Sequence, residues 1–367
     1  MAFQSITTYS YRNLKDQKVF LDSPRIFLVG ENGQGKSNFL ESVYLLSYGS
    51  SFRTKTDREL IAFGKKEMAL HGSYLRPEED DLAGSIALKL SPSEKSIQLD
   101  GKRLQDRKQL ISRIPAVVFS HDDISFVSGA PDRRRWFFNQ IMSLFDPLFI
   151  DTLRDYRKIL KMRNTSLKEQ RRDLIPIYDQ QLARRGFEIQ ERRRSLITEF
   201  NQVITPIFGT VSALTENFSI EYRPSWKNAA DLDQVLSLLT ERRPQDLLFG
   251  TTTSGPHRDR FIFRLGKTDF ARVASTGQLR LMSLILRIGQ CRYFSQKTGR
   301  RPILLLDDVL LELDGDRRSR FLAQLPEYDQ VFFTFLPDEK YLDLRDDQTS
   351  IYQVHDGWIQ KKPAPAP

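Results

Sequence analysis

Gly30-Glu31-Asn32-Gly33-Gln34-Gly35-Lys36-Ser37 decides the reading of this chain. Arg25-Ile26-Phe27-Leu28-Val29 precedes it, a short apolar run that reads as a buried strand. Asn38-Phe39-Leu40-Glu41-Ser42-Val43-Tyr44-Leu45-Leu46 follows, with apolar residues at helical spacing. Strand, glycine-rich loop and helix in that order are the context of a phosphate-binding P-loop. Three glycines let the backbone form a concave nest of N–H donors, and the helix adds its positive dipole end. The nucleotide-binding candidates are therefore Gly30, Glu31, Asn32, Gly33, Gln34, Gly35, Lys36, Ser37 and Asn38. Lys36 supplies charge to the outer phosphates of a nucleotide, and Ser37 a hydroxyl for Mg²⁺.

A second motif completes such a site. In Pro302-Ile303-Leu304-Leu305-Leu306-Asp307-Asp308, four apolar residues before an acid describe a strand buried on both faces of a parallel sheet. Its carboxyl end opens onto the ligand crevice. Asp307 is placed to hold Mg²⁺, and Asp308, one residue on, to orient an attacking water. A third motif, Ser275-Thr276-Gly277-Gln278, opens the apolar helical run Leu279 to Tyr293. It reads as a plain N-cap or as an anion-binding turn, and its position ahead of the two acids favours the second reading.

The 367 residues carry a net charge of +9, with 40% hydrophobic and 28% charged residues. That length suggests two lobes, and the charge favours a polyanionic partner. Asp151 to Phe200 holds 13 Lys+Arg against 8 Asp+Glu, which reads as a basic arm or as a solvated helical face. No apolar run is long enough to span a membrane, and the first residues lack the build of a signal peptide. One cysteine fits a reducing cytoplasm. Four histidines and one cysteine form no cluster with metal-ligand spacing.

The expected fold class is α/β: one lobe built from both ends of the chain, with a mixed sheet, helices and an antiparallel β subdomain, carrying an inserted compact helical arm. Residues 1–105 form the N-terminal part of that lobe, with a hairpin over 3–22 and a β-meander. The meander's strands are Ala69–Leu75, Ser85–Leu90 and Ser96–Leu99, with the acidic loop Glu78-Glu79-Asp80-Asp81 between the first two and Asp100-Gly101 as a turn. Residues 106–245 read as the helical, arginine-rich arm, with Pro176 and Gly186 as interruptions and Pro206 beyond the helices. No sustained heptad seam makes it a long coiled coil. Residues 246–360 return to the first lobe, with a last hairpin at Asp356-Gly357, and 361–367 form a disordered tail.

On these motifs the chain resembles the RecF family, recombination and gap-repair ATPases of the ABC/SMC-like group. The resemblance is carried by Gly30–Glu41, Ser51–Thr54, Val118–Ser120, Gly129–Arg135, Tyr156–Asn164, Ser254–Asp259, Leu304–Val309 and Glu312–Asp314, in family order through nearly the whole chain. It implies an ABC-type P-loop ATPase head and an ATP-dependent homodimer in which Ser275, Gly277 and Gln278 face the ATP held by the partner copy. It implies binding to double-stranded and gapped DNA, slow hydrolysis that releases the DNA, and cooperation with RecR and RecO in loading recombinase. Roles in replication and the SOS response, and a cytoplasmic, nucleoid-associated location, go with it.

Three positions depart from the family pattern. Leu311 stands where serine is usual in the D-loop, which implies slower hydrolysis. Asn139 replaces an expected aspartate, and Thr276 a common arginine. The DNA-contact candidates are Arg133, Arg134, Arg135, Arg184 and Arg185, with an interface role as the alternative. His257 reads as a nucleotide sensor or a hydrogen-bonded turn histidine, and Thr334 as a γ-phosphate sensor or a strand-end threonine. A structural SMC-type tether would need a long coiled coil. An ABC-transporter ATPase would carry Leu-Ser-Gly-Gly-Gln, and a small-molecule kinase leaves the signature turn unexplained.

Overall fold

Nearly every residue of the helix Lys36–Tyr48 is buried. A helix apolar on all sides must be covered on all sides. This one touches strands of two different sheets and ends in a left-handed Gly49, whose N–H returns to Leu45 O at 2.7 Å. The computed structural model describes residues 2–76, 82–212, 214, 216–227, 229–311 and 313–362. The chain clusters into two compact units, one of Met1–His121, Phe294–Ser319 and Leu325–Pro367, the other of Asp122–Tyr293 and Arg320–Gln324.

The first unit holds two six-stranded sheets. One is antiparallel, in the order Gln17–Phe20, Phe3–Tyr9, Met68–Arg76, Leu82–Leu90, Lys95–Leu99, Lys102–Arg103. The expected hairpin and meander are both there. Asp100 and Gly101 turn between strands at φ 51° and 76°. The acidic loop Glu78 to Asp81 lies outside the described residues.

The other sheet runs Trp358–Lys361, Thr349–His355, Arg25–Val29, Gln330–Phe335, Ile303–Leu306, Ala116–Phe119. Its last five strands pair in parallel, and Trp358–Lys361 closes one edge antiparallel. Ile303–Leu306, Gln330–Phe335 and Ala116–Phe119 are buried throughout, as a parallel sheet covered on both faces requires. Parallel pairing puts the carboxyl ends of Arg25–Val29 and Ile303–Leu306 at one rim, so Gly30 and Asp307 start from the same edge.

Several expectations shift. Lys361 belongs to the last strand and Lys362 N–H bonds Ile351 O at 2.8 Å, so the ordered chain passes the expected tail boundary. The rest of that tail, 363–367, lies outside the described residues. The arm stretch 106–245 is not all helix: Ala116–Phe119 is a strand of the parallel sheet, and Phe218–Arg223 pairs with Arg260–Leu265. The division into two units also falls elsewhere than 105 and 245, because long-range strand pairing rather than composition sets it.

The second unit is built on one 38-residue helix, Ile175–Ser212. It runs through Gly186 and Pro206, both expected to break or follow a helix. A Cβ on Gly186 would meet the buried Trp226 ring at 2.5 Å, so the missing side chain is what lets the helix pass. A proline inside a helix costs about 3 kcal/mol. The buried Val203, Ile204, Ile207 and Phe208 around Pro206 offset it. Against this helix lie Pro147–Lys168 and Leu232–Phe249. Arg163, fully buried, ties all three: it bonds Asp179 and Asp246 at 2.7 Å each.

That pattern accounts for much of the arm's arginine. Arg193 is buried against Asp259 at 2.7 Å, Arg185 pairs with Asp155 and Glu188, and Arg192 with Asp146 and Glu188. Part of the charge read as a nucleic-acid signal is thus held in ion pairs within the unit.

Candidate functional site

The strand Arg25–Val29 delivers Gly30 to the sheet rim, where its N–H bonds Phe335 O at 3.1 Å. A Cβ there would sit 2.2 Å from Val354 O, so only glycine fits. Gly33 and Gly35 follow at φ 79° and 119°, the left-handed region glycine enters freely. No side chain caps the helix that begins at Lys36, so its first N–H groups remain free to meet an anion.

Lys36 is buried, with Nζ on Gly30 O at 2.6 Å and Glu31 O at 3.2 Å. Ser37 donates its hydroxyl to Asp307 Oδ1 at 2.7 Å, which joins the loop to the end of Ile303–Leu306. Burial pushes the Asp307 carboxyl up from its ordinary 3.8 to about 6. Ser37, Arg53 and Lys36 pull it down, and Asp308 adds to the rise. An acid left desolvated beside a hydroxyl is a good fit for a hard cation, which takes oxygen ligands. Ser37 and Asp307 would hold Mg²⁺, which would neutralise phosphate charge there.

Because the folded Asp307 titrates above its unfolded value, its ionised form costs stability once pH rises through about 6. A shift of this size corresponds to about 3 kcal/mol. Asp307→Asn should therefore raise the melting temperature of nucleotide-free protein by a few degrees at pH 8. The gain should vanish below about pH 4, where both states of the aspartate are protonated. The same variant should lose the added stabilisation by Mg²⁺ and ATP. Thermal unfolding at the two pH values, with and without ligand, checks all three.

Asp308 sits at φ 52°, a left-handed conformation uncommon outside glycine. Thr334 holds it there: its hydroxyl accepts Asp308 N–H at 2.7 Å and donates to Asp308 Oδ1 at 2.7 Å. Thr334 is buried and its hydroxyl is committed to Asp308, so it acts as a support for the acid. The cleft between loop and acids is about 130 Å³ and is lined by the loop, Arg53 and Asp308.

Sequence reasoning missed the framework behind this loop. Asn13 donates to Gly33 O at 2.8 Å and accepts from Asn38 at 2.7 Å, and Arg53 reaches Asn38 Oδ1 at 2.6 Å. Asn38 thus bridges Asn13 and Arg53. Glu41, fully buried, accepts from Tyr11 Oη at 2.7 Å, Arg12 Nε and Nη2 at 2.9 Å, and Ser51 Oγ at 2.5 Å. Burial would raise this carboxyl, but the hydrogen bonds from Arg12, Ser51 and Tyr11 outweigh it and hold it below its ordinary value. Ser51 in turn accepts the N–H groups of Arg53 and Thr54 at 2.9 Å, which sets the turn that aims Arg53 at the loop. The hairpin Asp356-Gly357 clasps the other side, with Asp356 N–H on Gln34 Oε1 at 2.6 Å and Gly357 N–H on Gln34 O at 3.1 Å. The signal available was the resemblance at Ser51–Thr54, but nothing local tied it to the loop.

In the second unit, Ser275 and Gln278 form a reciprocal capping box. Ser275 N–H bonds Gln278 Oε1 at 2.8 Å, and Gln278 N–H bonds Ser275 Oγ at 3.3 Å. Ser275, Thr276 and Gly277 are exposed, so the helix Thr276–Thr298 presents its N-terminus to solvent. His257 donates through Nε2 to Thr252 O at 3.1 Å and accepts from Tyr156 at 2.7 Å on Nδ1. Burial lowers its value to about 4, which keeps it neutral and fits the turn-histidine reading. Asn139 accepts from Arg193 at 2.9 Å. Leu311 is exposed, and Glu312 lies outside the described residues.

The candidate DNA contacts divide. Arg134 donates to Phe261 O and Val127 O, Arg135 to Asp259 O, and Arg185 is ion-paired. Arg133 and Arg184 are exposed.

Residues 2–360 match the family model described as RecF/RecN/SMC N terminal domain. A DNA replication and repair protein RecF of Treponema pallidum (strain Nichols) is 39% identical over 352 residues, covering 96% of this chain and 99% of that protein. A solved structure titled as the recombination mediator protein RecF-ATP in the RecFOR pathway superposes with a TM-score of 0.87 at 29% identity, covering 98% of this chain and 97% of that one. A crystal structure of an SmcHead bound to the C-winged helix domain of ScpA, at 15% identity and TM-score 0.57 over 99% of this chain and 98% of that one, shares the fold.

Proposed function

The chain belongs to the RecF family, within the RecF/RecN/SMC group of ATPases, and we propose that it is an ATP-switched DNA-binding protein of replication and recombinational repair. The observation that carries this is the join between Ser37 and Asp307, with Asp308 latched by Thr334 beside it. It sets a phosphate nest, a cation-binding acid and a water-orienting acid around one cleft. The relatives named for DNA replication and repair, and for ATP and the RecFOR pathway, support the same reading.

ATP binds with its phosphates on the loop and Lys36, and Ser37 and Asp307 would hold the Mg²⁺ that neutralises phosphate charge. The cleft of about 130 Å³ is small beside ordinary small-molecule pockets, which run to about 300–1,000 Å³. A nucleotide there leaves one side uncovered. The exposed turn Ser275 to Gln278 of a second copy supplies that cover, so ATP drives a homodimer by mass action. The dimer closes on double-stranded or gapped DNA, Asp308 orients the water for hydrolysis, and turnover releases the DNA. Leu311, lacking a serine hydroxyl, keeps that turnover slow. RecR, with RecO, is the protein partner. No helix among the described residues is long and apolar enough to cross a membrane.

Comparing ATP turnover with and without double-stranded DNA tests this reading. Stimulation of several-fold is expected. Turnover indifferent to saturating DNA would contradict it.

A further inference from the structure

The second unit carries a groove of about 620 Å³ that the ATP site does not use. Five arginines line it: Arg134, Arg223, Arg260, Arg264 and Arg272. They come from four separate stretches, so no charge run in the sequence marks them. We propose that this groove binds the phosphodiester backbone of a nucleic acid, and the assignment rests on the DNA-binding reading above.

Three features point to an anionic occupant. Arg260 and Arg223 are direct partners across the antiparallel pair Arg260–Leu265 and Phe218–Arg223. Like charges placed opposite each other destabilise a sheet unless something lies between them. Arg260 is exposed and makes no ion pair among the described residues. Carboxylates are also scarce. Glu221 serves both Arg223 and Arg264, and Asp269 reaches Arg272 only at 3.8 Å. Arg134 is held by two backbone carbonyls, and its buried Nε has no partner. Burial lowers its basicity, with Asp269 the one charge that opposes this, so an added anion would relieve it.

The spacing favours a repeating polyanion. Arg260, Ile262 and Arg264 alternate along one strand and face one side. Arg260 and Arg264 are four residues apart on the strand, about 13 Å, so one stretch of an extended polyanion would meet both. Arginine suits phosphate oxygens through its planar fork of donors. Ile262 and Pro131 add apolar surface beside the arginines that would lie against sugars. The groove also leads to the signature turn. Asp269 caps the short helix Phe270–Val273, which carries Arg272 and ends two residues before Ser275. A backbone phosphate drawing on Arg272 would act on the segment that positions Ser275 and Gln278.

The test uses the full chain with ATP and a fluorescent duplex, with anisotropy followed across salt. Arg260 and Arg272 are exposed, so Arg260→Glu/Arg272→Glu should keep the wild-type thermal unfolding. Its duplex affinity should fall by about tenfold or more, and the slope of log affinity against log salt should drop by about two. Arg260→Gln/Arg272→Gln should lower the slope equally with a smaller loss of affinity. Arg171→Glu/Arg172→Glu makes the same change in net charge on another exposed stretch and should cost much less. Equal losses in the groove and control variants, or an unchanged slope in the groove variants, would overturn the assignment. So would duplex binding that survives in the groove variants while binding of labelled polyglutamate is lost, since the groove would then belong to an acidic polypeptide. Wild-type protein that binds no duplex at any salt would instead remove the DNA-binding reading on which the assignment rests.

Discussion

Lys36→Met is expected to weaken ATP binding by at least about 100-fold, close to abolition. The ammonium is buried and tethered to Gly30 O and Glu31 O, so it is already desolvated and aimed at the mouth of the nest. A charge-assisted hydrogen bond contributes about 1.5–3 kcal/mol each, and the Lys36 ammonium has three donors, one of them not held by Gly30 O or Glu31 O and a second able to turn from the longer Glu31 O bond to the outer phosphates. Losing two such bonds gives roughly the stated effect, since each 1.4 kcal/mol is tenfold in affinity. Methionine fills the apolar stem's place without the charge, and the backbone nest and helix end are untouched, so the fold should persist. Equilibrium titration with a fluorescent ATP analogue, beside a thermal melt, separates loss of the site from loss of the protein. Near-normal affinity in a folded variant would overturn the site.

Asp308→Asn should do the opposite: keep ATP and stop the reaction. Removing a positioned general base or water-orienting group typically costs about 10²–10⁴ in rate. Asparagine tolerates the left-handed conformation at this position and can still accept from the Thr334 hydroxyl. Its ATP affinity should stay within a few-fold of wild type while turnover falls by at least about 100-fold. Turnover close to wild type would reassign the role. Thr334→Val, which frees both the acid and its backbone N–H, should lower turnover in the same direction by a smaller factor.

The nucleotide half of this site was legible because its signals are local. A strand, three glycines and a helix lie within one stretch, and the Ile303–Leu306 run names its own sheet position by ending in two acids. What escaped was non-local. The Glu41 cluster joins Tyr11, Arg12 and Ser51 across gaps that no pattern spans. Ala116–Phe119 is four buried residues with no period, and such a run cannot be told from a piece of helix. Gly186 and Pro206 carry breaker signals that tertiary packing overrides. The partners of the arginines were hidden as well. Arg185, one of the candidate DNA contacts, pairs with Asp155, and Arg192 and Arg193 of the basic arm pair with Asp146 and Asp259. The groove that does leave guanidinium groups unmatched is assembled from arginines scattered between 134 and 272. Burial against a specific acid cannot be read from composition.

The account depends on ATP joining two copies of this chain. Sedimentation velocity of the Asp308→Asn protein, which should hold ATP without consuming it, tests that most directly. The predicted result is a monomer without nucleotide and a dimer at saturating ATP and Mg²⁺. A single monomeric species in both conditions, with ATP shown to be bound, would contradict it.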